Sequence, residues 1–98
     1  MVHNVFFWLK PGADAAKFES GAKALLGIDV IASGSISKSA PTPERPVTDK
    51  SFSYHLALSF ASVEDHNTYQ DHPDHHVFVE ECKDLWDRVV VYDSEVLQ

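Results

Sequence analysis

The segment SFSYHLALSF, from Ser51 to Phe60, constrains the fold more than any other part of the chain. Its large apolar side chains alternate strictly with small or polar ones; the apolar set is Phe52, Tyr54, Leu56, Leu58 and Phe60. Because successive side chains of a strand point to opposite sides of a sheet, this pattern predicts a β-strand with one buried face. His55 lies on the other, small and polar face, which meets either solvent or a cavity. The chain therefore needs a sheet that other elements cover on one side.

Six further elements are predicted around this strand. In chain order they are a strand over Val2–Lys10, a helix over Asp14–Leu26, a weaker strand over Asp29–Lys38, a helix from Ser62 to about Asp71, a second helical segment that begins at Pro73, and a strand over about Asp87–Asp93. The polar, proline-rich segment 39–50 predicts a loop. The resulting order, β-α-β-β-α-β, is the split βαβ of the ferredoxin-like fold, which is α+β. Ninety-eight residues suit a single domain, 1–98.

The first and last strands carry apolar side chains on both faces. In the first strand, Val5 and Phe7 point to the same side as His3, whereas Phe6 and Trp8 point to the other. Both helical segments of the ferredoxin-like fold cover the same side of the sheet, so the second apolar face has no cover within the chain. A second copy packed sheet to sheet would supply it, and the sequence therefore predicts a two-fold homodimer.

Composition narrows the classes of partner. The net charge is −7, with 15 acidic and 8 basic residues and no basic patch, so we expect no nucleic-acid partner. No apolar run approaches the roughly 20 residues of a membrane span, and we expect no membrane partner. The single cysteine, Cys82, excludes an internal disulfide and a cysteine zinc cage. The first residues lack the features of a secretory signal, which predicts a cytoplasmic location.

The histidine-rich segment YQDHPDHHVF, from Tyr69 to Phe78, is compatible with a metal site, an acid–base site or a polar joint between two helices. Pro73 interrupts the helical phase between His72 and His75, and His75 and His76 diverge by about 100° on a helix. These histidines therefore do not share a face, and we expect no dedicated metal site, only adventitious metal binding.

His75 is the first residue of an apolar stripe. At helical spacing it is followed by Phe78, Val79, Cys82 and Trp86. A histidine that faces inward next to a tyrosine of the preceding helix suits a base that works near neutral pH. The alternative is a buried histidine that bonds a backbone carbonyl. His3 and His55 lie on strands that are neighbours in the order 4-1-3-2, so they can face one space, although each alone is more often structural or solvated.

The motif H-x-x-Y-x-x-H-P-x-H-x-x-F resembles the signature of the stress-responsive A/B barrel (Dabb) family. Its residues here are His66, Tyr69, His72, Pro73, His75 and Phe78. The early histidine in the first strand, FASVED before the motif and LWDRVVVYD near the end agree with the resemblance, which covers essentially the whole chain. It implies a ferredoxin-like protomer that forms a dimeric α/β barrel.

The resemblance also implies a candidate site. A characterised plant member of the family, a polyketide cyclase, makes olivetolic acid by an aldol condensation without a cofactor. Its catalytic histidine matches His75 and its assisting tyrosine matches Tyr69, while two further pocket histidines match His3 and His55. The resemblance thus implies catalytic His75 and Tyr69, substrate-binding His3 and His55, no cofactor and no metal.

Three other functions remain open from the sequence. The first is a barrel that sequesters a small apolar or phenolic ligand without turning it over. The second is a structural stress-response protein, and the third is a cofactor-free monooxygenase like members of related barrel families.

Overall fold

A computed structural model describes residues 1–98 and places four strands in one antiparallel sheet. The elements are β1 (Val2–Leu9), α1 (Ala15–Leu25), β2 (Ser33–Ser37), β3 (Tyr54–Ser59), α2 (Val63–Asp71), α3 (Pro73–Cys82), a 3₁₀ turn (Lys83–Leu85) and β4 (Trp86–Ser94). The strand order is β2-β3-β1-β4. The α+β class and the order 4-1-3-2 are confirmed, with the second helical segment divided into α2 and α3.

The helices begin where their capping residues predict. Asp14 caps α1 and Ser62 caps α2, each accepting a hydrogen bond from the backbone N–H three residues on, at 3.0 and 3.1 Å. Pro73 opens α3, where its missing N–H costs nothing, and Nδ1 of His72 accepts from the backbone N–H of Asp74 at 3.0 Å. The α2–α3 boundary is therefore a polar joint. None of the helices combines the length and the apolar character that crossing a membrane requires.

The hydrophobic core lies between the helices and one face of the sheet. Its largest fully buried side chains are Tyr69, Phe18, Leu25, Leu56, Leu58 and Cys82. Burying a Leu or Phe side chain stabilises a fold by about 1.5–3 kcal/mol. Gly21 allows α1 to approach α3 closely, because a Cβ there would lie only 2.9 Å from Sγ of Cys82.

Three expectations about element boundaries are wrong. β2 begins at Ser33, because the preceding residues form turns rather than a ladder. Trp86 is the first residue of β4 and not the end of the helical stripe, since α3 ends at Cys82. Phe52 precedes β3, whose pairing with β1 begins only at Tyr54, so the alternation of β3 does not reach it.

The face of the sheet away from the helices is apolar and only partly covered, by Ser51 and Phe52 of the segment before β3. We call it the outer face and define it by Phe6, Trp8, His55, Val90 and Tyr92. An open depression on it is lined mainly by aromatic and aliphatic side chains, and the Tyr92 side chain is 64% exposed. The two-sided pattern of β1 and β4 thus leaves an apolar surface of the kind that commonly marks an interface.

Candidate active site

A small cavity of about 150 Å³ lies between the helix-covered face of the sheet and the α2–α3 joint. Nine of its twelve lining residues are hydrophobic, and the remaining three are His3, Gln70 and His75. Tyr69 also lines it and adds a phenolic hydroxyl. Val89 and Val91 lie on its β4 side and are 37% and 47% exposed, so the cavity opens along that strand. Its apolar wall with a few converging polar groups is typical of a small-molecule site.

Tyr69 and His75 meet across the break at Pro73. Tyr69 lies near the end of α2 and is only 1% exposed, and His75 lies in the first turn of α3. Their ring centroids are 4.9 Å apart with an edge-to-face interplanar angle of 69°. A continuous helix would place these two side chains about 120° apart around its axis and about 9 Å apart along it. The change of chain direction at the joint brings them together.

The Nδ1 atom of His75 is buried and has no hydrogen-bond partner within the chain. The alternative of a backbone carbonyl that satisfies this nitrogen is therefore not observed. Buried polar atoms are nearly always paired in folded proteins, so an unpaired ring nitrogen in a residue that lines a cavity is an unusual feature.

Burial sets the protonation states of both residues. Burial lowers the pKa of His75, and the neighbouring His76, His3 and His66 lower it further. The imidazole is therefore neutral at pH 7 and carries a free lone pair. Burial raises the pKa of Tyr69, so its hydroxyl keeps its proton and can donate a hydrogen bond. The pair combines a proton acceptor and a proton donor in one apolar space.

His3 is held by a residue from the far end of the chain. It is 4% exposed, and its Nδ1 lies 2.5 Å from Oδ1 of Asp93, its direct partner in the β1–β4 ladder. Burial lowers the pKa of His3, while the hydrogen bond with Asp93 opposes that shift. Nε2 of His3 lies 3.5 Å from the side-chain nitrogen of Gln70. The sequence would identify Asp93 as the partner of His3 only if the register between β1 and β4 were known.

His55 does not line this cavity, and the expectation that it shares one space with His3 is wrong. It lies on the outer face, where its ring stacks on Phe6 at 4.3 Å and Nε2 lies 2.8 Å from Oδ1 of Asn4. The reason is strand register: His3 pairs with Leu58, whereas His55 pairs with Phe6. Paired residues point to the same side of a sheet, and the two histidines belong to pairs of opposite parity. Burial lowers the pKa of His55.

The histidine-rich segment does not form one cluster. His72 caps α3 and His76 is exposed on its surface. Three other residues, His3, His66 and Asp93, are potential metal ligands that lie close together. One ligand atom from each lies within 4.8 Å of the other two. Spacing along the chain cannot reveal this group, because its members come from β1, α2 and β4.

The fold and cavity define the class of protein. A four-stranded antiparallel sheet in the order 4-1-3-2, with helices over one face, is a ferredoxin-like α+β protein. The sequence model of the Stress responsive A/B Barrel Domain matches residues 1–96. The chain therefore belongs to the stress-responsive A/B barrel (Dabb) family.

Solved structures with the same fold come from plants and bacteria. A protein of Arabidopsis thaliana is 20% identical, with a TM-score of 0.80 over 99% of this chain and 95% of its own. A Dabb family protein of Mesorhizobium loti with a ferredoxin-like fold is 24% identical, with a TM-score of 0.79 over 99% and 96%. A dimeric ferredoxin-like protein of unknown function from Thermobifida fusca is 13% identical, with a TM-score of 0.74 over 93% and 85%. A search of curated protein sequences finds no match.

Proposed function

We propose that this protein is a cofactor-free acid–base enzyme that acts at the carbon next to a carbonyl in a small apolar or phenolic compound. Aldol cyclisation of a polyketide-like chain, or the related lyase reaction, fits this description. One observation carries the proposal: His75 lines an apolar cavity beside Tyr69, and its buried Nδ1 has no hydrogen-bond partner in the chain.

The chemistry divides between the two residues. Neutral His75 takes the proton from the carbon, and the electron pair of that C–H bond moves onto the carbonyl oxygen. Tyr69, which stays protonated, donates a hydrogen bond to the resulting enolate oxygen. The enolate carbon then attacks a second carbonyl of the same molecule, a C–C bond forms, and the new alkoxide takes back the proton from His75. The reaction is balanced without an oxidant, a reductant or a cofactor.

The polar neighbours have binding roles in this proposal. His3 lines the cavity and is oriented by Asp93, so it is suited to hold a substrate oxygen. Gln70 adds an amide on the same wall. His55 is not among the proposed substrate contacts, because it lies on the opposite side of the sheet from the cavity.

We also propose that the working form is a two-fold homodimer with the outer faces packed together. The apolar lining of that face, on which Phe6, Trp8 and Val90 are half-buried and Tyr92 is exposed, supports it. Proteins of the same fold from Thermobifida fusca, Bacteroides fragilis and Jannaschia are described as dimeric. Light scattering at micromolar concentration tests this, and a stable monomer would contradict it.

Proton exchange tests the catalytic proposal without knowledge of the natural substrate. Small β-diketones and cyclic ketones in D₂O are followed by NMR for deuterium uptake at the α carbon. We expect exchange above the buffer rate with the wild type, and a loss of about 10²-fold or more in His75→Gln, the usual contribution of a general base. His76→Gln is the matched control, because it changes the adjacent, exposed histidine. Equal exchange in wild type and His75→Gln would exclude His75 as the base.

A non-catalytic binding function uses the same cavity. It is favoured by the hydrophobic lining, because nine of the twelve wall residues are apolar. Under this alternative a phenolic probe binds the wild type and His75→Ala with the same affinity and is recovered unchanged. Under the catalytic proposal, the affinity for the phenolic probe or the α-proton exchange of the β-diketones depends on His75.

A further inference from the structure

We propose that His3, His66 and Asp93 form a binding site for a divalent transition-metal ion of the zinc type. The site goes beyond the acid–base function, because neither His75 nor Tyr69 belongs to it. It lies next to the cavity and shares only His3 with the cavity wall.

The fold brings the three side chains together from distant parts of the chain. His3 and Asp93 are direct partners in the β1–β4 ladder, so their side chains lie on the same face of the sheet. The ring of His66, from α2, lies 4.7 Å from the ring of His3, measured between centroids. One ligand atom from each residue lies within 4.8 Å of the other two.

His66 presents an unused lone pair. Its Nδ1 lies 3.1 Å from the side-chain oxygen of Asn67, which can only accept a hydrogen bond. Nδ1 therefore carries the proton and Nε2 carries the lone pair. Nε2 is buried and has no hydrogen-bond partner. Histidines that bind metal through one nitrogen usually donate from the other to an oxygen in this way, which holds the ring in the required tautomer.

The donor set identifies the class of metal. Two imidazole nitrogens and one carboxylate oxygen suit zinc and the neighbouring transition metals, whereas magnesium and calcium prefer oxygen ligands alone. Around a tetrahedral ion with bonds of 2.0–2.1 Å, ligand atoms lie about 3.3 Å apart. His66 therefore has to move inward slightly, and the 2.5 Å pair of His3 and Asp93 has to open. Nδ1 of His3 also has to release the proton that it shares with Asp93 when the ion binds.

The proposed site borders a surface groove. His66 and Asp93 also line a surface groove beside the N-terminus, together with Glu95. An ion held by three protein ligands can thus take a water molecule or a ligand oxygen from this groove in its fourth position. Three protein ligands with one open position is the arrangement of catalytic rather than structural zinc sites.

The opposing possibility is that the three residues form only a hydrogen-bonded cluster. In that case Asp93 orients His3, and His66 packs against it without a ligand. Zinc would then bind weakly, at exposed histidines such as His76, and the two possibilities differ in which histidines respond to the ion.

Metal titration of the whole protein decides between them. The protein is freed of metal with a chelator and titrated with Zn²⁺ by calorimetry and with Co²⁺ by absorbance. We expect saturable binding of one ion per chain, weakened about tenfold or more in Asp93→Asn and in His66→Gln. Asp93→Asn keeps an oxygen next to His3 and lies at a partly exposed position, so it preserves the fold. His76→Gln and His75→Gln serve as controls that retain wild-type affinity.

A measurement on the wild type protects the test against variants that misfold. Imidazole NMR signals of His3 and His66 should shift and saturate with one equivalent of Zn²⁺, while those of His72 and His76 stay in place. Absence of saturable binding, unchanged affinity in both ligand variants, or shifts confined to His72 and His76 would overturn the metal site. None of these measurements depends on turnover, so they test the metal site independently of the acid–base function.

Discussion

Tyr69 and His75 form an edge-to-face pair with ring centroids 4.9 Å apart, although they belong to different helices. The pair exists because Pro73 ends α2 and starts α3, which turns the chain between the two residues. It lies at the wall of an apolar cavity, and the Nδ1 atom of His75 has no other partner. The acid–base proposal therefore depends on a joint in the backbone as much as on the two side chains.

Acid should destabilise the fold partly through His75. Its pKa is lowered in the folded state from an ordinary value of 6.5, so below that pH the unfolded chain binds a proton that the folded chain does not. The contribution of neutral His75 to the free energy of unfolding is fully present above pH 6.5. It is lost as the pH falls toward the pKa of His75 in the folded state. We expect the melting temperature of His75→Gln, measured in a chelator, to fall less than that of the wild type between pH 7.5 and pH 5.

Some acid sensitivity should persist in that variant, because the pKa values of His3 and His55 are also lowered by burial. His76→Gln changes an exposed side chain and should retain most of the wild-type acid sensitivity. An equal fall in melting temperature for wild type and His75→Gln between pH 7.5 and pH 5 would show that His75 is not a source of the acid sensitivity.

Gly21→Ala should destabilise the protein despite its benefit to helix propensity. Replacing an interior glycine of a helix with alanine ordinarily stabilises by about 0.8–1 kcal/mol. Here the new Cβ would lie 2.9 Å from Sγ of Cys82 and 3.3 Å from the ring of Phe78, and such overpacking costs about 1–3 kcal/mol. We expect a net loss of about 1 kcal/mol in urea unfolding.

The double variant with Cys82→Ala tests the cause. Cys82 is 1% exposed, so Cys82→Ala alone leaves a small void that the new methyl group can enter. Gly21→Ala should therefore cost less in the Cys82→Ala background than in the wild type. Additive effects of the two substitutions would show that the contact does not limit the approach of α1 to α3.

Leu58→Ala should lower the free energy of unfolding by about 2–5 kcal/mol, because it leaves a cavity in a close-packed core. Leu58 is 0% exposed and is the penultimate residue of β3. Leu97→Ala is the matched control, since Leu97 is 99% exposed and should change stability by no more than about 0.5 kcal/mol. Urea unfolding followed by tryptophan fluorescence measures both, and similar losses in the two variants would contradict the placement of the core.

Val90→Lys should convert the proposed dimer into a monomer. Val90 lies on the outer face and lines its apolar depression, so the substitution places a charge where the second copy would pack. Val47→Lys adds the same charge in a loop at a residue that is 78% exposed and should remain dimeric. Light scattering distinguishes the two outcomes. A Val90→Lys protein with wild-type mass would place the interface elsewhere.

Local signals in the sequence predicted the order of the elements and the starts of the helices, although not the bounds of every strand. The alternation in β3 identified a strand with one buried face, and Asp14, Ser62 and Pro73 marked the first turns of three helices. These features depend on side chains that act on their own backbone within a few residues, so they need no knowledge of the rest of the fold. Helical spacing wrongly assigned Trp86 to the stripe of α3. The spacing of apolar residues continues past Cys82, although the helix itself ends there.

The candidate site shows the limit of such signals. Tyr69 and His75 are close in sequence, and the resemblance to the family pointed to both. Strand register decided that His3 lies at the cavity and His55 on the outer face. A shift of one residue along a strand places a side chain on the opposite face of the sheet. Asp93 reaches His3 from ninety positions away, through the pairing of β1 with β4. The sequence alone therefore determined the elements and the residue types, while the long-range pairing of strands decided which of those residues meet.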